Sequence, residues 1–341
     1  YFFRVELLLL MGLCFYSALI SLLNGVFNPS NVLLNTPFII LFFNIPVCFL
    51  IYRFFISSIP SRYESDPYLY LLVVLSNLAI FSSMLTLIFW LNPDLGIYIK
   101  FDLMKYDAEL MRYQSHRAFG LSDELLFSYS IVQASIFLLV FDKLGFSVRT
   151  YILMLSVIVS IGLNARIGFL VLAFILLIPS FWSMKSFLGI LIFICSTLAL
   201  YFSGQDGVAF IFDQFLYFVS DLLGSSDVSS SEYLLNNMLF IPDGVVSILF
   251  GSGGNIFGVD GGSDSGYVLL LFYGGVFYIS IIFILLSYIL FRSFNTDYFV
   301  PVFVLVLVFL ISNIKGLYFA PKPGMHLFIV VYVFIILIYK S

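Results

Sequence analysis

Apolar residues fill this chain in ten long blocks: 5–23, 38–57, 68–91, 126–141, 147–163, 166–180, 186–202, 266–290, 298–312 and 324–340. Within each block the apolar positions are continuous around a helical wheel. They do not alternate with period two, as the strands of a membrane barrel would. A helix needs roughly 20 such residues to cross the hydrocarbon of a bilayer. Only helices and closed barrels satisfy their backbone there. The pattern therefore predicts an all-α protein, a polytopic integral membrane helix bundle of about ten transmembrane helices, with 1–341 as a single transmembrane domain. Two stretches fit less well. Arg166 interrupts the run from 147 to 180, and 298–312 is short.

Composition strengthens this picture. The chain is 62% hydrophobic and 10% charged, with mean hydropathy +1.11. Soluble domains carry about 25% charged residues. A 341-residue soluble core has no room for so much apolar surface. Cys14, Cys48 and Cys195 fall inside apolar runs and read as small core residues, without disulfide or zinc spacing. No signal-peptide pattern is present, and the chain begins at Tyr1 rather than Met, which leaves room for a preceding segment.

Charge sets the orientation. With the N-terminus cytoplasmic, the inner loops carry Arg53, Arg62, Lys143, Arg149, Lys185, Arg292 and Lys340. The opposite short loop 24–37 is uncharged. Counting Arg4, the inner side holds 8 basic and 5 acidic residues, and the outer side 7 basic and 14 acidic. Both termini of the chain are thus expected on the cytoplasmic side.

Two long outer loops result. Loop A, 92–125, has mixed charge and holds Arg112, His116 and Arg117. Loop B, 203–265, has no Lys, Arg or His. In loop B the apolar and aromatic stretch 208–223, with Asp213 and Asp221 eight apart, predicts an amphipathic helix against the bundle mouth. The serine run 225–231 reads as a turn or as the cap of a helix starting near Glu232.

Three cations stand out on the outer side: Arg117, Arg166 and Lys315. Guanidinium and ammonium groups at the mouth of a helix bundle suit a polyanionic, lipid-linked substrate. Each has a plainer explanation. Arg117 has acidic neighbours in Asp123 and Glu124. Arg166 sits at a membrane boundary and would reach headgroups. Lys315, with Lys322 and Tyr318 near it, suits interfacial anchoring. His326, at the start of the last block, reads equally well as a satisfied core histidine. The run 251–267 has seven Gly in seventeen residues. Such a loop brings backbone N–H groups close to phosphate oxygens, or simply flexes before the next helix. It lacks Walker spacing and follows no strand pattern. Asp264 would be a natural N-cap for that helix. Two histidines 210 residues apart and no carboxylate pairs at metal spacing predict no metal site and no cofactor. No GxSxG motif indicates a serine hydrolase.

Taken together, Arg117-x-x-Gly120, Asn164-Ala165-Arg166-x-Gly168, LFGSGG at 249–254, Ser263-Asp264-Ser265-Gly266-Tyr267 leading to Gly274-Gly275, and Asn313-x-Lys315 resemble the bacterial O-antigen polymerase family, within the wider polymerase and ligase superfamily. The likeness covers about 90–340 and lies in the order and sidedness of the motifs. It implies a GT-C-like bundle and an inverting, metal-independent glycosyltransferase. Such an enzyme joins undecaprenyl-diphosphate-linked oligosaccharide repeat units at the periplasmic face of the inner membrane. A chain-length regulator and a flippase are the partners the resemblance implies, and nucleic acid is not one. In that reading Arg117, Arg166 and Lys315 bind the diphosphate and stabilise charge on the leaving group. Arg112, His116 and Tyr267 are secondary substrate contacts. Asp264, His326 or a loop carboxylate serves as base, and Tyr106, Tyr113, Phe215 and Tyr217 stack on sugars. Loop B departs from many relatives in lacking arginine, and its lack of histidine favours polymerase over ligase. A lipid-linked oligosaccharide flippase is the alternative from a different class. It would hold its cations in a midplane cavity and show repeated halves.

Overall fold

A computed structural model describes residues 4–25, 36–105, 128–165, 167–191, 213–217, 219–220, 237–253, 262–263, 265–316 and 323–340. The regular elements are all helical, and no strand occurs among the described residues. The chain divides into two compact units: Tyr1–Ser58 with Ser226–Ser341, and Ile59–Ser225.

The first unit contains α1 (Arg4–Gly25), α2 (Thr36–Ser57), α9 (Val245–Phe250), α10 (Gly266–Ser293), α11 (Phe299–Lys315) and α12 (Pro323–Lys340). The second contains α3 (Pro67–Leu91), the short α4 (Pro93–Ile97) running into a wide helical turn Tyr98–Leu103, α5 (Ser128–Leu144), α6 (Val148–Asn164), α7 (Ile167–Leu172) and a helical stretch α8 at 184–191. Each predicted apolar block coincides with helix where it is described. The exception in type is 166–180. There α7 is only six residues long and tightens into 3₁₀ turns at Ala173–Leu177 and Pro179–Trp182. Among the described residues, two helices are long and apolar enough to cross a membrane, Pro67–Leu91 and Gly266–Ser293.

Local chemistry explains the ends. Asp66 caps α3, its Oδ1 accepting the Leu69 N–H at 3.0 Å, with Pro67 at the first position, where a missing N–H costs nothing. Ser147 and Thr150 form a reciprocal capping box at the start of α6. Asp66 also pairs with Lys143 at 2.8 Å, which ties α3 to the end of α5.

The second unit is inverted relative to a soluble protein. Leu78, Phe81 and Met84 of α3 are exposed, while Ser76, Ser83 and Thr86 are buried. The buried face meets α5 and α6 through hydroxyls. Tyr129 Oη lies 2.9 Å from Ser82 Oγ, 2.8 Å from Thr86 Oγ1 and 3.2 Å from Ser160 Oγ. Ser160 donates to Ser83 at 3.1 Å. Hydroxyl bonding across close-packed helices is the usual adhesive where lipid removes the hydrophobic drive.

The first unit is held by a different device. Glu6 of α1, 2% exposed, pairs with Arg292 of α10 and accepts a hydrogen bond from Tyr332 of α12 at 2.8 Å. Three helices are thereby joined at one carboxylate.

Candidate functional site at the head of a broken helix

The block 266–290 reads as one span, but α10 breaks inside it. Gly275 has φ 68° and ψ −170°, a conformation open in practice only to glycine. Tyr267 and Phe283 stack with ring centroids 6.4 Å apart. Sixteen residues of straight helix would separate them by roughly 24 Å along the axis. The chain therefore folds back at Gly275, into a half-helix Gly266–Gly274 and a longer limb from Val276. That limb is roughly 27 Å long at helical rise, near the thickness of the hydrocarbon.

The break exposes carbonyls, and neighbouring segments satisfy them. Ser252 N–H donates to Phe272 O at 2.8 Å, and Gly253 N–H to Tyr273 O at 3.0 Å. Tyr16 Oη of α1 donates to Gly274 O at 3.0 Å and shares that proton with Phe250 O at 3.2 Å. Backbone meets backbone directly. A Cβ at Gly275 would stand 2.4 Å from Leu249 O, and one at Gly251 (φ 76°) 2.4 Å from Tyr273 O. Two of the singled-out motifs, LFGSGG and Gly274-Gly275, thus form one interlock. It rests on Tyr16, Ser17, Tyr273 and Tyr278, with Ser17 Oγ 2.5 Å from Tyr273 Oη and Tyr16 stacked on Tyr278.

The head of the half-helix meets the end of α11. Gly266 packs so closely that a Cβ there would lie 2.4 Å from Gly316 O and 2.7 Å from Asn313 Oδ1. Tyr267 Oη donates to Leu310 O at 2.6 Å. Ser263 Oγ donates to Met238 O at 2.6 Å and accepts from the Ser265 N–H at 3.0 Å. The Ser263–Tyr267 motif and the Asn313-x-Lys315 motif are therefore neighbours within the first unit. Lys315 is the last residue of α11.

Of the residues proposed from sequence, Tyr267, His326, Phe215 and Tyr217 are fully described. Tyr267 is half-buried at this junction. His326 is exposed in the first turns of α12, so the core-histidine alternative does not hold. Arg112, His116, Arg117, Arg166 and Asp264 lie outside the described residues, as do the aromatics Tyr106 and Tyr113, the cap predicted near Glu232 and the side chain of Lys315. The cap of α10 is Ser265, one position beyond the expected Asp264. In loop B, 213–217 is helical as predicted, with Phe215 edge-on to Phe169 at 5.4 Å and Tyr217 exposed. No group of metal-ligating side chains occurs among the described residues.

Lys100 escaped the sequence reading. It is fully buried in the turn after α4, its ammonium 5.4 Å from the centre of the Phe89 ring. Burial pushes its pKa down to about 7. The only signal was its apolar setting, Ile-Tyr-Ile-Lys-Phe. The serines at the head of α10 were visible in the motif, but nothing in the pattern gave them separate roles.

The chain matches no protein-family model, no curated protein and no solved structure.

Proposed function

We propose that this protein is a membrane polymerase of about ten spans, joining undecaprenyl-diphosphate-linked oligosaccharide repeat units at the periplasmic face of a bacterial inner membrane. The observation that carries the reading is the junction in the first unit. Four sequence motifs that underlie the resemblance pack there as two contacting pairs. Chemistry supports it as well. Breaking a sugar–phosphate bond builds charge on a diphosphate leaving group, and cations and helix N–H groups stabilise such charge without a metal. Lys315 and the head of α10 serve that role in this reading. Arg117 and Arg166 are the further cations, and the assay measures the loss of Arg166. Asp264 or His326 takes the proton of the acceptor hydroxyl.

A broken helix also favours a second reading, transport of a lipid-linked oligosaccharide. Against it, the carbonyls freed at Gly275 are already bonded to Ser252, Gly253 and Tyr16 rather than open to a ligand.

The test is complementation of a polymerase-deficient strain. Arg166→Ala abolishes the polymer ladder at normal protein level, and Arg166→Lys restores little, because lysine lacks the two-pronged phosphate contact. Purified protein elongates a lipid-diphosphate repeat unit in chelator. A full ladder from the alanine variant, or loss of elongation in chelator with recovery on adding magnesium, refutes the mechanism. Transbilayer movement of the lipid-linked unit without elongation selects the transporter.

A further inference from the structure

We infer that the head of α10 is an oxyanion site, with the Ser265 hydroxyl as a direct ligand of a phosphoryl oxygen. Only the origin of that phosphate rests on the polymerase reading. Ser265 occupies the cap position of the helix, where a serine normally turns its oxygen onto an N–H of the first turn. Here it makes no such bond. Its residue is fully buried, and its Oγ has no partner. The N–H groups of Gly266, Tyr267 and Val268 also lack an acceptor among the described residues, the first capping bond being Leu269 N–H to Ser265 O at 2.9 Å. Among the described residues, four donors thus lie together without an acceptor. Buried polar groups are nearly always satisfied, so such a cluster marks the place of a bound acceptor. Helix N-termini attract anions through the same N–H groups and the helix dipole.

The surroundings hold these donors in place. Ser263 fixes the Ser265 backbone by accepting its N–H while donating to Met238 O. Gly266 is clamped against Gly316 and Asn313, and Tyr267 is tied to Leu310. Lys315 is the last residue of the adjoining helix, α11. A helix N-terminus with an unspent buried hydroxyl suits a phosphate oxygen, because its N–H groups and dipole favour negative charge. Ser263 is then a positioning residue for Ser265.

The test uses the full chain in lipid nanodiscs, titrated calorimetrically with inorganic pyrophosphate, farnesyl diphosphate and farnesol. Wild type binds the two diphosphates and discriminates against farnesol. Ser265→Ala and the near-isosteric Ser265→Cys each weaken diphosphate binding at least about tenfold, the effect of losing one hydrogen bond to a charged group. Ser160→Ala, in the second unit, leaves it unchanged. Retained affinity in both Ser265 variants, or no diphosphate binding by wild type, overturns the site. Tighter binding of farnesyl diphosphate than of pyrophosphate identifies a lipid-linked ligand, and the reverse a free anion; either supports an oxyanion site. Ser265-dependent binding without polymer formation by wild type keeps the site and removes the polymerase reading. Full polymer and full affinity in Ser265→Ala keeps the reading and removes the site.

Discussion

The two units of this protein bury polarity in opposite ways. The first concentrates it. One carboxylate joins three helices, and one glycine break is closed by two backbone N–H groups of a short segment and the Tyr16 hydroxyl. The second spreads it over many hydroxyls, none of which carries a formal charge, in a seam through α3, α5 and α6. Even Arg149 joins that unit by donating to neutral oxygens, Ser76 and Asn77, both at 2.9 Å. Concentrated polarity defines a geometry sharply but fails with one residue. Distributed polarity is tolerant, because Tyr129, Thr86 and Ser160 each have more than one partner nearby.

That contrast can be broken at the first unit's interlock. Gly275→Ala combines a positive φ with a Cβ 2.4 Å from a backbone oxygen that cannot yield. The expected loss is above about 3 kcal/mol, seen as failure to recover monodisperse protein in detergent. Gly12→Ala, where a Cβ meets nothing within 4 Å, is the matched control and should fold normally. Equal yields of the two variants would show that the interlock is dispensable.

The buried pair is the next target. Arg292→Met leaves Glu6 charged and largely unpaired, at a cost of about 3–5 kcal/mol. The double variant Glu6→Leu with Arg292→Met removes both charges and is expected to recover most of the loss. Thermal unfolding measured for the single and double variants closes the cycle. A double variant no better than the single would mean that the carboxylate's bond to Tyr332, rather than charge balance, holds the unit.

Lys100 offers a pH probe confined to the second unit. Its pKa in the folded protein is about 7, and in the unfolded chain about 10.4. Between those values the unfolded chain binds the extra proton, so stability rises with pH across that window and is flat below it. The melting temperature of the wild type is expected to climb by several degrees from pH 7 to pH 10, relative to Lys100→Met. The methionine variant itself should be the more stable one at pH 6. Parallel pH profiles for the two proteins would remove the claim.

The smallest effect belongs to the hydroxyl seam. Tyr129→Phe deletes one oxygen with three neighbours; Thr86 and Ser160 keep other partners, Thr86 donating to the Ser82 backbone O at 2.9 Å and Ser160 to Ser83, while Ser82 Oγ loses this bond. About 1 kcal/mol is expected, in line with hydrogen bonds between membrane helices. A loss as large as that of Arg292→Met would mean that the seam is not distributed after all.

Much of this protein was legible without coordinates. Apolar blocks place the helices, because a lipid-facing helix is apolar on most of its circumference and its length follows from the rise per residue. Asp66-Pro67 and Ser147-x-x-Thr150 announce where α3 and α6 begin, through bonds made within four residues. The motifs at 249–254, 263–267, 274–275 and 313–315 were also visible as short patterns. Their meaning was not. Hydropathy is as high on one side of Gly275 as on the other, so no periodicity marks the fold-back. The break is stable only because Ser252, Gly253 and Tyr16, distant in sequence, supply the missing donors. The free hydroxyl of Ser265 has the same origin. A serine before a helix predicts a cap, and only the packing of Ser263, Gly266 and Tyr267 against their neighbours leaves that oxygen without its usual bond. Local sequence determined which segments are helices. Tertiary contacts determined where a helix turns back and which of its donors remain free, because those depend on groups that the chain brings together only on folding.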